Sequence, residues 1–520
     1  MRHVVPLFAL LLALPASGQE IPCQNGQASV PGVGVFPCKD VDFVGHLPVA
    51  SIATPGSPAA NENNDLWGWT DPETGTEYAL VGTQNGVGFV DLSTPTTPVL
   101  IGKLPAAAPA SVWRDVKVYA NHAFVVADNS PGHGMQVFDL TRLRDVTSPP
   151  VTFDVDARYT GFGSAHNIVI NEATGFAYAV GSGVTSGQGL PSSCNPRGFH
   201  AVDIRTPQEP TFAACFSDVL LETGPRSPGY THDAQCVIYN GPDTDHSGRE
   251  ICFASNEDVV TIFDVTDKGN VRVLSQAEYP NDSYTHQGWL TGDQRFFLAN
   301  DELDERNNPG MMQRTIVLDV EDLDDPEFSF AYDSGLTSID HNLYIRSRYA
   351  FESNYETGLR ILDLTGIETG SLEEIAFFDT FPARDAASFN GQWSNYPFFE
   401  SGLVIANDGD NGLFVLRPTS LVALADGDGP GTTAASLSEP VPNPTASGAR
   451  LTLRVATGQP VRADLYDIAG RLVRRVFDGQ APAGQEVVLE VDTEGLPAAV
   501  YILRVTGDDF RTGRRLVVTR

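Results

Sequence analysis

The chain is short of cations. Lysines are few against a formal charge of −33. So acidic a surface repels phosphate backbones, which argues against a nucleic-acid partner. It attracts cations, and its self-repulsion is screened in a salty exterior. No Cys-x-x-Cys occurs, so a thiolate metal cluster is not expected. No Gly-x-Ser-x-Gly elbow, phosphate loop or dinucleotide fingerprint stands in a fitting context, and nothing nominates a nucleophilic serine. Long apolar runs are missing too, with one exception. Residues 4–14 are apolar, follow Arg2 and His3, and precede Pro15-Ala-Ser-Gly-Gln. That run is too short to span a bilayer. It reads as a signal peptide over residues 1–19, cleaved near Gly18 or Gln19. With no other segment long enough to span, the expected protein is exported and not embedded.

An exported chain with six cysteines suggests three disulfides. Cys23 and Cys38 bracket a Gly-rich loop. Cys236 and Cys252 lie on two strands expected to be hairpin neighbours. Cys194 then remains for Cys215.

What the sequence has in quantity is glycine, 49 residues, and proline, 36, which suits many short strands joined by tight turns. One phrase recurs seven times. Its last strand is the clearest part: Gly86-Val-Gly-Phe-Val-Asp-Leu, Gly134-Met-Gln-Val-Phe-Asp-Leu, Gly198-Phe-His-Ala-Val-Asp-Ile and Gly358-Leu-Arg-Ile-Leu-Asp-Leu, with variants at Val259, Arg314 and Gly412. Near-continuous apolar residues mark a strand buried on both faces. A Pro-containing turn and a fourth strand follow several copies. The first strands align at Trp67, Arg114, His166, His232, His286, His341 and Trp393. His232 and His286 are 54 residues apart, His286 and His341 55. A period of roughly 40–55 residues with four short strands per unit marks a β-propeller.

The expected fold is therefore all-β: a seven-bladed β-propeller over residues 20–420, a linker over 421–437 and a small β-sandwich over 438–520. The seventh unit lacks a fourth strand, and residues 41–48 resemble one. They are expected to close the last blade.

If the ring forms, His166, His232, His286 and His341 converge on one channel mouth. They could bind a transition metal, with Asp115, Asp233 or Asp340 as ligands or acceptors. Trp67, Arg114, Trp393, Glu257, Asp258, Asp301 and Glu302 complete the expected ligand face. A repeated His is equally what a hydrogen-bond post pinning loop to strand predicts. A weaker candidate, Asp243, Asp245 and Ser247 before Gly248, resembles the opening of a calcium loop, with Glu250 as a further oxygen. It lacks the later bidentate Glu, and an ordinary polar turn explains it too.

Two resemblances extend this reading. Pro442-Asn443-Pro444, Leu465-Tyr-Asp-Ile-Ala-Gly-Arg, Leu496-Pro-Ala-Ala-Val-Tyr and Arg515-Leu-Val-Val-Thr-Arg resemble the type A C-terminal sorting domain of the type IX secretion system. That resemblance implies export across the outer membrane through the secretion machinery, then removal of the domain and surface attachment or release of the cargo. The propeller is similar to the choice-of-anchor B family of surface proteins with LVIVD-type repeats. Asp65-Leu-Trp-Gly-Trp, Ser111-Val-Trp-Arg-Asp, Gly229-Tyr-Thr-His-Asp-Ala-Gln-Cys, Tyr284-Thr-His-Gln-Gly-Trp, Asp301-Glu-Leu-Asp-Glu and Ser338-Ile-Asp-His-Asn-Leu-Tyr carry the likeness. The expected function is a secreted, surface-attached propeller that binds an extracellular ligand or partner on its His- and acid-lined face. The alternatives are a metal-dependent extracellular enzyme centred at the channel mouth, or a purely structural surface component.

Overall fold

The computed structural model describes residues 18–52, 63–183, 194, 197–218, 229–419 and most of 435–519. The expected signal peptide lies outside these apart from Gly18 and Gln19. So do residues 421–434 of the expected linker, and Pro444, 468–471, Ala498 and Arg520 of the sorting-domain motif. The chain divides into two units, residues 1–421 and 422–520. The fold is almost entirely β, organised into sheets of mostly four to six strands.

The first unit holds seven sheets, each built as an antiparallel meander. The first contains Asn63–Thr70, Glu77–Thr83, Gly86–Asp91 and Val99–Pro105, with Val151–Thr152 added in parallel at its outer edge. The second to sixth open with Arg114–Tyr119, Asn167–Asn171, Asp233–Ile238, Thr285–Leu290 and Asn342–Arg346. The seventh contains Gln392–Tyr396, Val404–Asp408 and Gly412–Pro418, and its outer strand is Val41–Leu47 from the other end of the chain. Each opening strand lies against the next, and that of the seventh lies against that of the first.

A separate apolar cluster fills the space between every successive pair of sheets. Leu80, Phe89, Val125 and Phe138 join the first to the second, and Val44, Leu66, Val81 and Leu413 join the seventh to the first. A middle strand is covered on both faces in this arrangement. That is why the repeated phrase is apolar without alternation.

Two residues of the phrase have local causes. Its terminal Asp turns the chain into the fourth strand. The carboxylates of Asp91, Asp139, Asp203, Asp264, Asp319 and Asp363 each accept from the backbone N–H two residues on, at 2.7 to 3.1 Å, as in an Asx turn. In two copies the leading Gly occupies the left-handed region against a neighbouring strand. At Gly134 φ is +63° and a Cβ would meet Tyr159 O at 2.2 Å; at Gly358 φ is +73° and Phe378 O would lie at 2.5 Å. Only glycine fits either position.

The segment between Cys23 and Cys38 is more ordered than the loop its glycines suggest. It forms the hairpin Gln27–Val30 and Gly34–Lys39, which extends the sixth sheet outward. Disulfides join Cys23 to Cys38, Cys194 to Cys215 and Cys236 to Cys252. Cys236 and Cys252 face each other across paired strands.

The second unit has a three-stranded sheet (Ala435–Leu437, Gly448–Val455, Glu486–Asp492) and a four-stranded sheet (Gln459–Asp467, Leu472–Ala481, Ala499–Thr506, Arg511–Val518). Leu451, Leu453, Leu465, Leu503 and Leu516 share one core between them. Among the described residues no helix is long and apolar enough to cross a membrane.

Candidate functional site

The opening strands line two cavities. The residues just before and at the strand starts surround one of about 630 Å³; residues further along the same strands surround another of about 520 Å³.

The first cavity holds a row of four imidazoles. His166, His232, His286 and His341 enter from four successive sheets, with ring centres 4.2, 4.2 and 4.3 Å apart. Each of three rings is tied to the next sheet. His232 Nδ1 bonds to the carbonyl of His286 at 2.9 Å, His286 Nδ1 to that of His341 at 2.9 Å, and His341 Nδ1 to that of Trp393 at 2.6 Å. A carbonyl only accepts, so each Nδ1 carries the hydrogen and each neutral ring keeps its Nε2 lone pair free. Burial holds these rings neutral: His232 and His286 titrate well below the usual imidazole range, and His341 is pushed down to about 3. His166 differs. Its Nδ1 faces Asp128 Oδ2 at 3.1 Å, and Asp128 also receives Arg197 at 2.8 Å.

Glu302 provides the carboxylate. Its oxygens lie 3.9 Å from His286 Nε2 and 3.6 Å from His341 Nε2. These gaps are too long for hydrogen bonds. They are close to the separation of roughly 3.3–3.6 Å between two ligands of one tetrahedral zinc-sized ion. All three ligand atoms fall within 4.8 Å of one another. Tyr355 donates its hydroxyl to Glu302 at 2.8 Å, and burial raises the Glu302 carboxyl to about 7. The set therefore offers two imidazoles and one carboxylate to a cation, beside an open cavity.

Several expected face residues lie elsewhere. Asp233 follows His232 in the chain, and strand alternation turns it into the second cavity, which Trp67 also lines. There Lys117 lies 2.6 Å from Asp115, 4.0 Å from Asp65 and 4.7 Å above the Trp67 ring. Asp115 also accepts from Ile168 N. Burial raises Asp65 to about 7 and Asp233 to about 8. Trp289, Tyr344 and Phe398 wall this cavity. Arg114, only 1% exposed, donates to Thr83 O and to His133 and serves the packing of the second sheet. Asp115, Asp233 and Asp340 are thus not the acceptors of the imidazole row. Asp340 accepts instead from Asp301 N. Asp301 is consumed by Ser283 N, Tyr284 N and the Tyr279 hydroxyl. Glu257 pairs its backbone with Thr285 and its side chain with Tyr284; Asp258 beside it is half-buried. Trp393 does line the first cavity, its ring 4.9 Å from His341.

The expected calcium-loop oxygens do not converge on one another; Asp243 lies instead beside His246 and Asp324. Asp243 accepts from Asp245 N and Leu323 N, while Asp245 and Ser247 are exposed. Glu250 spends its oxygens on Asn171, Thr174, Tyr178 and Lys268. Cys194, His200 and Cys215 lie close together, but both sulfurs are in a disulfide and offer no thiolate.

Tyr230, Tyr284 and Tyr355 wall the imidazole cavity and did not emerge from the sequence as site residues. A signal existed for two of them: Tyr230-Thr-His232 and Tyr284-Thr-His286 repeat one pattern.

No family model matches the chain, and no curated protein matches it. Among solved structures it is similar to the computationally designed Ika8 protein, at 10% identity and a TM-score of 0.38, covering 65% of this chain and 80% of that one. It is also similar to the C-terminal WD40 domain of Sif2, at 11% identity and a TM-score of 0.40, covering 74% and 92%. A chain of the mitotic checkpoint complex aligns at 12% identity and a TM-score of 0.42, covering 79% and 98%. Likenesses this remote carry no functional argument.

Proposed function

We propose that residues 20–420 form a closed seven-bladed propeller that binds a transition-metal ion at one channel mouth and presents it to an extracellular ligand. His286, His341 and Glu302 are its ligands. One observation carries the reading: the Nδ1-to-carbonyl chain leaves neutral Nε2 lone pairs beside a buried carboxylate, at ligand-to-ligand distances. The same hydrogen bonds would serve mere blade posts. Posts, however, do not require a carboxylate placed between two Nε2 atoms and short of hydrogen-bond contact. The signal-peptide pattern and the likeness of residues 438–520 to a type IX sorting domain support export and a surface location. The likeness to choice-of-anchor B proteins is consistent with both.

A second reading, hydrolysis at that ion, is favoured by the cavity of about 630 Å³ on the open side of the ligands. A three-ligand site with an open position is the arrangement that activates water. Elemental analysis of the full chain beside a His286→Ala/His341→Ala variant tests the binding reading. One equivalent of a transition metal in the wild type, lost in a variant with an unchanged circular dichroism spectrum, is the expected result. Metal-free wild type after exposure to zinc would overturn it. An ester- and phosphoester-substrate screen on the loaded protein then separates binding from hydrolysis.

A further inference from the structure

The loop that delivers Glu302 to the imidazoles buries two more acids within three residues. Asp304 is 0% exposed and Glu305 7%, and Asp340, from the loop entering the sixth sheet, is 0% exposed. One oxygen from each lies within 4.8 Å of the others. Asp304 receives Arg314 Nε on one oxygen. With all three carboxylates ionised, its Oδ1, both oxygens of Glu305 and Asp340 Oδ1 receive no donor among the described residues. A neutral side chain points at the same place. Asn300 is wholly buried and faces Asp340, and neither its Oδ1 nor its Nδ2 has a partner within hydrogen-bond distance among the described residues.

Three buried carboxylates against one guanidinium leave two negative charges uncompensated. Burying such charge is costly unless it is paired. A proton shared by Glu305 with its neighbours removes one of the two. A divalent cation removes both, and it also occupies the orphaned oxygens. Every donor in the cluster is oxygen, which selects a hard ion and not a soft one. We propose that Asp304, Glu305 and Asp340, with the Asn300 amide beside them, hold one hard divalent cation. The ion fastens the segment 301–305 to the entrance of the sixth sheet and so fixes the position of Glu302. The site stands independently of the imidazole site, because calcium and magnesium do not seek imidazole.

The test uses the full chain, stripped with EDTA and titrated with calcium, magnesium or manganese alone. Calorimetry is expected to show one saturable equivalent of a hard cation. The melting temperature should rise by roughly 3 °C at a hundredfold excess over the dissociation constant. Asp340→Asn and Glu305→Gln should each abolish both responses, and His286→Ala/His341→Ala should keep them. An identical melt with and without every cation overturns the proposal and makes the cluster a proton-sharing one. So does a cation response that survives in Asp340→Asn or Glu305→Gln, which would place binding elsewhere on the acidic surface. If neither variant folds, the wild-type melts and the His variant still decide.

Discussion

His133 shows how one buried side chain can set an acid limit. Its Nδ1 lies 2.9 Å from Gly134 O, and its Nε2 accepts from Arg114 at 2.8 Å. Both nitrogens are committed to the neutral tautomer, and a second positive charge beside Arg114 is unfavourable. Burial, then Arg114, pushes the ring down to about 4. The folded value lies below the unfolded one of about 6.5, so the unfolded chain takes up the proton first as pH falls. The stability is fully present above pH 6.5 and is lost progressively down to about pH 4. His133→Gln keeps an acceptor for Arg114 and removes the titration. Urea unfolding at pH 7 and pH 4 should show a loss smaller by roughly 3 kcal/mol in the variant than in the wild type. Equal losses would show that this ring does not set the limit.

At the scale of elements, the decisive piece is the strand Val41–Leu47. It pairs with Gly412–Pro418 and places Phe43 against the ring of Phe414 in the seventh sheet and that of Phe378 in the sixth. Without it, Gly412–Pro418, buried along nearly its whole length, would become the sheet's edge. Phe43→Ala leaves the backbone pairing intact and empties that contact. It should cost about 3–5 kcal/mol in denaturant unfolding. A cost under 1 kcal/mol would mean that the strand merely decorates the seventh sheet. The strand was legible in the sequence because Val41-Asp-Phe-Val-Gly-His-Leu repeats the form of Val99-Leu-Ile-Gly-Lys-Leu, and because the seventh unit ended early. The hairpin beside it was not. Its residues 27–39 interleave apolar side chains with turn glycines and prolines, and only the free edge of the sixth sheet makes strands of them.

For the whole molecule the formal charge of −33 dominates. Like charges spread over one surface repel, and the repulsion is relieved as added salt shortens the Debye length from about 30 Å at 0.01 M to about 3 Å at 1 M. Buried pairs such as Lys117–Asp115 are screened far less. Raising sodium chloride from low millimolar to half molar should therefore raise the melting temperature by several degrees. A fall would mean that surface ion pairs outweigh the net repulsion.

The local pattern was enough for the repeat. Strand period, the Asp of six of the turns and the Gly that begins most copies of the phrase are answers to short-range sterics and hydrogen bonding, and those act within a few residues. It was also enough to single out four histidines in one register. It could not decide which way their neighbours point. Asp115, Asp233 and Asp340 stand beside that register in the chain, yet alternation and loop geometry send them to other surroundings. Glu302, 39 residues before His341, enters the site because the fifth and sixth sheets abut. The desolvation that holds the imidazoles neutral and raises the Glu302 carboxyl exists only once seven sheets exclude water from between them. Short-range chemistry determined the elements; which carboxylates meet which imidazoles is a long-range outcome of how the sheets pack, and only the tertiary structure decided it.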